Sequence, residues 1–187
     1  MIDLYWIPLG ADGNFVRFNG RVYEAIRAAL ERRPRQDLYH TALEVQGPET
    51  RFIVETAWPI PDADGTRRGV VVEGPVGTRG LARLRALRYE VRRWPGGTIP
   101  DVSWAVGGPQ RISNDPTHAR AVWNLAEQVP PLLWGRDERH LGEMWNSNSV
   151  ISWLLAGAGL DTDAIHPPAG GRAPGWDEGI ALARRRP

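Results

Sequence analysis

Two short segments of the sequence combine reactive side chains with a placement that would make them reactive. In residues 39–45 (YHTALEV), His40 lies near the start of a predicted strand, and in residues 145–150 (WNSNSV), Ser147 lies where a predicted helix begins. A serine hydroxyl is a weak nucleophile unless a base takes its proton, and a helix start stabilises developing negative charge through its free N–H groups. The pair therefore predicts acyl transfer, with Ser147 as nucleophile and His40 as general base.

Each of these residues also has an ordinary structural explanation. Asn and Ser are preferred N-cap residues, so helix capping alone would account for Asn146, Ser147 or Ser149. A histidine on a strand is more often a packed or surface residue than a base. Residue spacing on its own favours this structural explanation over a catalytic one.

Together the two segments resemble the circularly permuted papain-like superfamily, the branch of NlpC/P60 relatives with lecithin:retinol acyltransferase-like and PPPDE-type proteins. In that branch a strand-borne His comes first, and a nucleophilic Cys follows much later in an Asn-Cys-x-x-aromatic or aliphatic pattern that opens an apolar helix. Here YHTALEV matches the His strand and NSNSVISWLL (146–155) the nucleophile helix, with Ser147 where the family has Cys. The resemblance covers residues 38–58 and 143–160 well. It implies a hydrolase or acyltransferase acting on lipid acyl esters or on amide and isopeptide bonds.

The exchange of Cys for Ser leaves two hypotheses open. A thiol ionises at about pH 8.5, so an imidazole readily yields a thiolate, whereas a serine hydroxyl does not ionise in that range. Either the site is a serine hydrolase or acyltransferase with His40 as obligate base, or catalysis has been lost. The second hypothesis makes the chain a binding module, with a protein partner in a larger bacterial secretion or toxin-associated assembly. The retained His40 and Asn-Ser context favour activity, and a serine nucleophile with Trp-rich surroundings favours a lipid-like acyl ester as substrate.

A third group would normally orient His40, and the strand that follows offers Glu55. This acid lies within the apolar run RFIVETAW (51–58), where an unpartnered carboxylate would be costly to bury. A solvent-facing strand position explains Glu55 equally well. Glu44 and Asp101 are weaker candidates for the orienting role.

Four residues beside Ser147 are expected to contact the substrate. Asn146 and Asn148 would shape the helix entry or the oxyanion pocket, and Trp145 and Trp153 would line an apolar substrate pocket. No His-Glu or His-His spacing predicts a metal site, and no glycine-rich motif predicts a nucleotide, so neither a metal nor a cofactor is expected.

The order of predicted elements favours an α+β fold. The predicted strands cover 2–9, 38–46, 51–58, 69–76 and 86–94, with loops over 59–67 and 95–115 and one short strand at 102–106. The predicted helices cover 19–33, capped by Asn19, then 116–129, 147–155 and 176–185. We expect one domain over 1–187, with an antiparallel sheet of about five strands packed against the helix at Ser147. The resemblance adds a permuted papain-like architecture.

Composition narrows the classes of partner. The net charge of +1 gives no reason to expect nucleic acid or an anionic membrane surface. The absence of Cys excludes disulfides, thiolate metal sites and a cysteine nucleophile. No basic segment followed by an apolar stretch predicts a signal peptide, and no apolar run predicts a membrane span. The default expectation is a cytoplasmic protein, although export by a signal-independent route would leave no trace in the sequence.

Overall fold

The structure contains seven strands and four α-helices in the described part of the chain. The computed structural model describes residues 1–10, 23–47, 49–59 and 69–185, together with the backbone of residues 14–22 as part of a helix. In chain order the elements are β1 (Ile2–Pro8), α1 (Asn14–Glu31), β2 (Asp37–Gln46), β3 (Arg51–Ala57), β4 (Val70–Pro75), β5 (Arg88–Pro95), β6 (Gln110–Ser113), α2 (Pro116–Leu125), α3 (Ser147–Gly157), β7 (Gly171–Arg172) and α4 (Trp176–Arg184).

The strands form one open and mostly antiparallel sheet in the order β4-β5-β3-β2-β1-β6. β2 and β3, which correspond to the predicted strands 38–46 and 51–58, form an antiparallel hairpin with Leu43 opposite Val54. The short strand β7 pairs in parallel with the start of β2, where Asp37 lies opposite Gly171. The predicted α+β class is confirmed, and the sheet is larger than expected because β6 and β7 were not predicted.

Alternation along the strands divides the side chains between two faces of the sheet. The large core on one face includes, from β1 and β2, Ile2, Leu4, Trp6, Tyr39, Leu43 and Val45. A smaller apolar cluster on the other face consists of Ile7, Ala42, Ile53 and Ile99. Side chains two residues apart along a strand point the same way. His40 therefore shares the face of Ala42, and its neighbours Tyr39 and Thr41 point toward the large core.

Helix α3 is the apolar centre of the large core. Its residues 147–155 are all buried, which fits a helix that is apolar on every side. Helix α4 packs along it with very little space between the two backbones. A Cβ on Gly179 of α4 would overlap the carbonyl oxygen of Ser149 and the Oγ of Ser152. Among the described residues, no helix combines the length and the hydrophobicity that crossing a bilayer requires.

Two predicted elements differ from the structure. Helix α1 begins at Asn14 rather than after Asn19, so the backbone of Asn19 lies inside the helix and not at its N-cap position. The alternating residues 102–106 do not form a strand. The free edge of β1 pairs with β6 instead. The 102–106 segment contacts β1 through one backbone hydrogen bond, which the N–H of Val106 donates to the carbonyl of Trp6. The predicted loop 59–67 lies almost entirely outside the described residues.

Candidate functional site

The N-terminus of α3 is capped by two residues of the NSNS segment. The Oδ1 of Asn146 accepts hydrogen bonds from the backbone N–H of Asn148 (2.9 Å) and of Ser149 (3.4 Å). In return, the Oγ of Ser149 accepts from the N–H of Asn146 at 3.0 Å and donates to the carbonyl of Met144. This reciprocal arrangement is a capping box, which satisfies the free N–H groups of a helix start. Capping therefore explains Asn146 and Ser149.

Ser147 takes no part in this cap. It is the first helical residue, and neither its hydroxyl nor its backbone N–H forms a hydrogen bond with any described residue. Its residue surface is 9% exposed, so the hydroxyl lies at the boundary of the core. The capping explanation that the sequence left open thus does not apply to Ser147. One unbonded N–H and one unbonded hydroxyl lie together at the positive end of a helix.

Asn148 connects the start of α3 to strand β2. Its Nδ2 donates to the carbonyls of Tyr39 and Pro174, both at 2.9 Å, and its Oδ1 accepts from the hydroxyl of Thr41 at 3.0 Å. The Nδ2 of Asn146 also donates to the Pro174 carbonyl, at 2.8 Å. These contacts satisfy the buried amide of Asn148, and two of them fall on the residues on either side of His40. The helix start is therefore held beside His40.

Asn148 contacts β2 at a stretch of one strand edge that has no partner strand among the described residues. One edge of the strand pairs with β1 throughout, and the other pairs with β7 at 37–38 and with β3 from 43 to 46. Between them, residues 39–42 have no strand partner on that side among the described residues. Successive carbonyls of a strand point to opposite edges, and that of Leu38 accepts from Leu9 on the β1 side. The Tyr39 carbonyl therefore points to the open edge, and α3 begins at this gap.

His40 is paired with Asp101. The Nε2 of His40 lies 2.8 Å from Oδ2 of Asp101, which belongs to the loop between β5 and β6. Burial acts to raise the pKa of Asp101, but the hydrogen bond and the charge of His40 outweigh it and hold that pKa below its ordinary value. An ionised Asp101 accepts a hydrogen bond from the N–H at Nε2 of His40. In a neutral imidazole the other ring nitrogen, Nδ1, then carries no proton and is the basic one. Nδ1 has no hydrogen bond to a described residue.

No hydrogen bond joins His40 to Ser147 within the described part of the chain. The two residues reach the gap from different elements: His40 from the face of β2 that Ala42 shares, and Ser147 from the helix that begins at the strand edge. Catalytic hydrogen bonds often become short only when substrate is bound. The structure therefore shows an oriented imidazole on β2 and, at the start of the helix attached to β2, a serine without a hydrogen bond to any described residue; no contact joins the two.

The orienting contact that we expected from Glu55 is made by Asp101. Glu55 is buried on β3 and lies opposite Arg92 of β5, whose guanidinium is 3.8 Å from its Oε1. It makes no hydrogen bond or ion pair with His40. The pairing of β3 with β5 places Glu55 beside Arg92. The partner of the His40 imidazole is Asp101, which lies in a loop 61 positions further along the chain. Glu44 likewise pairs with Arg51.

The two tryptophans expected to line a substrate pocket are core residues. Trp145 and Trp153 are 0% and 1% exposed, so neither has surface that a substrate could contact in this structure. The indole N–H of Trp145 donates to the hydroxyl of Tyr89 at 3.0 Å, which satisfies its one polar group inside the core. Their proximity to Ser147 in sequence reflects the packing of α3 and not access to the site.

A second Ser-His pair occurs at the start of α2. The Oγ of Ser113 lies 2.8 Å from Nδ1 of His118, and the same Oγ accepts from the N–H of Asp115. Asp115 is the N-cap of α2 and accepts from the N–H of Thr117. These contacts belong to the turn that begins the helix, so the pair has a structural explanation. Neither residue was a candidate from the sequence.

Comparison of the chain with protein-family models, with curated proteins and with solved structures gives no match. The permuted papain-like resemblance therefore stays a prediction.

If Asn148 positions the helix start, Asn148→Ala should lower the free energy of unfolding by about 3 kcal/mol, because it leaves buried partners of three hydrogen bonds unsatisfied. Urea denaturation measures this change. The control is Asn124→Ala, which removes an exposed amide from α2 and should cost about 0.5 kcal/mol or less. Equal effects of the two substitutions would refute a positioning role for Asn148.

Proposed function

We propose that this chain is a serine-dependent hydrolase or acyltransferase acting on an ester or amide. Ser147 is the nucleophile, His40 is the general base and Asp101 orients His40. The observation that carries the proposal is the division of roles in the NSNS segment. Asn146 and Ser149 cap the helix and Asn148 attaches it to the residues on either side of His40, so Ser147 is left without a hydrogen bond to any described residue.

The proposed reaction begins when the Oγ of Ser147 attacks the acyl carbon and its proton passes to Nδ1 of His40. The carbonyl oxygen becomes an oxyanion, which the unbonded N–H of Ser147 at the helix N-terminus stabilises. The intermediate collapses, the bond to the leaving group breaks, and His40 returns the proton to the departing alcohol or amine. Water or a second alcohol then attacks the acyl-serine by the same steps, with His40 again accepting and returning the proton.

Asp101 supports the proposed reaction by electrostatics. When His40 holds the proton from Ser147, its ring is positively charged and lies against the carboxylate of Asp101 at 2.8 Å. This contact stabilises the charged ring and fixes the tautomer in which Nδ1 is basic. Because a serine does not ionise near neutral pH, the proposed site depends on such a base more strongly than a cysteine site does.

An apolar acyl ester is the substrate that we favour. The side chains of Val102, Trp104 and Val106 are 38%, 59% and 39% exposed, and they follow directly after Asp101 in the loop that contacts His40. Exposed apolar side chains grouped in one segment are typical of a contact surface. This surface, which we call the 102–106 loop, provides the apolar contact that the buried Trp145 and Trp153 do not.

A second candidate function is a non-catalytic binding module in a bacterial secretion or toxin-associated assembly. The observation that favours it is the missing hydrogen bond between His40 and Ser147, together with the position of His40 on the sheet face opposite the large core. In this alternative the papain-like fold is retained without its chemistry. The 102–106 loop would then contact a protein partner instead of an acyl chain.

Labelling with an alkyl fluorophosphonate, which reacts covalently with activated serines, distinguishes the two functions. We expect the native chain to be labelled, and Ser147→Ala and His40→Ala to abolish labelling. Asp101→Asn should slow labelling by about 10³-fold, because it loses the charge that favours the correct tautomer. The control Ser113→Ala removes the serine of the other Ser-His pair and should leave labelling unchanged. A folded native chain that stays unlabelled would support the binding module.

The absence of Cys allows a test that needs no substrate. In Ser147→Cys the introduced thiol is the only one in the chain, and its rate of alkylation by iodoacetamide as a function of pH gives its pKa. At a helix start beside a histidine we expect a pKa of about 7 or lower. Ser103→Cys, at an exposed position, should keep an ordinary value of about 8.5. His40→Ala should raise the pKa of the thiol at position 147. A value unaffected by His40 would contradict the proposed pair.

If the 102–106 loop binds the acyl chain, Trp104→Ala should lower kcat/KM for the dodecanoate ester of p-nitrophenol by about tenfold, because a large apolar contact is lost. The acetate ester should be hydrolysed at the native rate. Trp58→Ala, which removes another exposed tryptophan that contacts Trp134, serves as control. Equal losses for both esters would show that Trp104 does not select the acyl chain.

A further inference from the structure

A buried acid lies on α4, the helix that packs against α3, and takes no part in the proposed chemistry. Glu178, in the first turn of α4, is 0% exposed, and neither of its carboxylate oxygens has a hydrogen-bond partner of ordinary geometry among the described residues. Burial of an ionised carboxylate without a partner is strongly unfavourable. The uncharged, protonated form of Glu178 is therefore the one that this packing accommodates.

The charged groups around Glu178 reinforce this preference. Asp137 and Glu143, from the segment that leads into α3, both repel a negative charge on Glu178, whereas the backbone N–H of Glu143 and the charge of Arg185 at the end of α4 favour it. Helix α3, the element against which α4 packs, contains no charged residue. Both surrounding acids have structural hydrogen bonds of their own, Asp137 from the backbone of 141–142 and Glu143 from Arg172 and the N–H of Gly175.

Helix α4 is in direct contact with the cap of α3. A Cβ on Gly175, the residue before α4, would lie 2.6 Å from Oγ of Ser149 and 2.7 Å from Oδ1 of Asn146, the two capping atoms. One turn later, the Oγ of Ser152 donates to the carbonyl of Trp176 at 2.7 Å. Because the two helices are so closely packed, α4 cannot move without disturbing the cap that surrounds Ser147.

We infer that Glu178 is a proton-sensitive switch that controls the start of α3. When Glu178 is protonated, α4 is held against α3 and the cap around Ser147 is ordered. When Glu178 ionises, its charge faces Asp137 and Glu143 in the closely packed interface, and α4 withdraws. The effect of Glu178 ionisation on the order of α3 does not depend on catalysis. A further consequence, which rests on the proposed function, is that the site is most active in mildly acidic surroundings.

The electrostatic setting gives the pH range. Burial, followed by the charge of Asp137, raises the pKa of Glu178 to about 7, while the backbone N–H of Glu143 and the charge of Arg185 act in the opposite direction. The folded-state pKa thus exceeds the ordinary 4.5 of a Glu carboxyl. Glu178 then contributes stability that is complete below about pH 4.5 and is lost as the pH rises through about 7. No group of three or more acid or His side chains in the described residues is arranged to hold a metal ion.

Thermal unfolding of the full chain between about pH 5.5 and pH 8.5 tests the switch. We expect the Tm of the native chain to fall by about 5 °C across this range. Glu178→Gln, which imitates the protonated acid, should make the Tm independent of pH in that interval and higher than that of the native chain at the alkaline end. The matched control is Asp177→Asn, which changes the exposed neighbouring acid and should keep the native pH dependence. Glu178→Met, an apolar residue of similar size, provides the same test if the Gln variant does not fold.

Amide hydrogen exchange locates the effect in the cap. Protection of the Ser149 and Val150 amides should fall about tenfold more between pH 6 and pH 8.5 in the native chain than in Glu178→Gln, after correction for intrinsic exchange. Equal pH dependence of protection in the two proteins, or a native decline of Tm that persists in Glu178→Gln, would refute the switch. A pH-dependent cap in a chain that fluorophosphonate does not label would retain the switch and reject the proposed catalysis.

Discussion

The side-chain amide of Asn148 is the interaction on which the rest of the site depends. It lies at the first turn of α3 and replaces a missing strand partner at the open edge of β2, where a carbonyl would otherwise be unsatisfied. Its second donor contact, to Pro174, brings the entry of α4 to the same point. One buried amide thus fixes a strand, the helix start and the entry of a second helix relative to one another.

This constraint explains why Ser147 can be free. A helix start buried against a sheet has several N–H groups that need acceptors, and the neighbouring polar side chains normally supply them. In this chain Asn146 and Ser149 supply the acceptors, and Asn148 holds the position. Every polar residue of the NSNS segment except Ser147 is therefore required by the fold. A hydroxyl and an N–H at the positive end of a helix are left available for another partner.

Two features that are unfavourable to stability lie on elements that contact His40 or α3. The 102–106 loop exposes apolar side chains directly after Asp101, and Glu178 of α4 has a buried carboxyl without a hydrogen-bond partner of ordinary geometry among the described residues. Natural sequences generally avoid both features unless function requires them. The two features come from different parts of the chain. The 102–106 loop is connected to His40 by the contact of Asp101 with the imidazole, and Glu178 is connected to α3 by the packing of α4. Their connection to His40 and to α3 is consistent with the proposed function and with the proposed switch.

The sequence by itself determined the α+β class, the strands that form β2 and β3, and the apolar helix from Ser147, because these depend on local periodicity and capping preferences. It did not determine which of the asparagines and serines cap the helix, because all of them are suitable N-caps. Tertiary structure alone decided that Asp101 and not Glu55 contacts His40, that Trp145 and Trp153 are buried, and that residues 102–106 form an exposed turn. The physical reason is distance along the chain. Asn148 meets Tyr39 across 109 positions, and Asp101 meets His40 across 61, and such contacts depend on how the elements pack against one another.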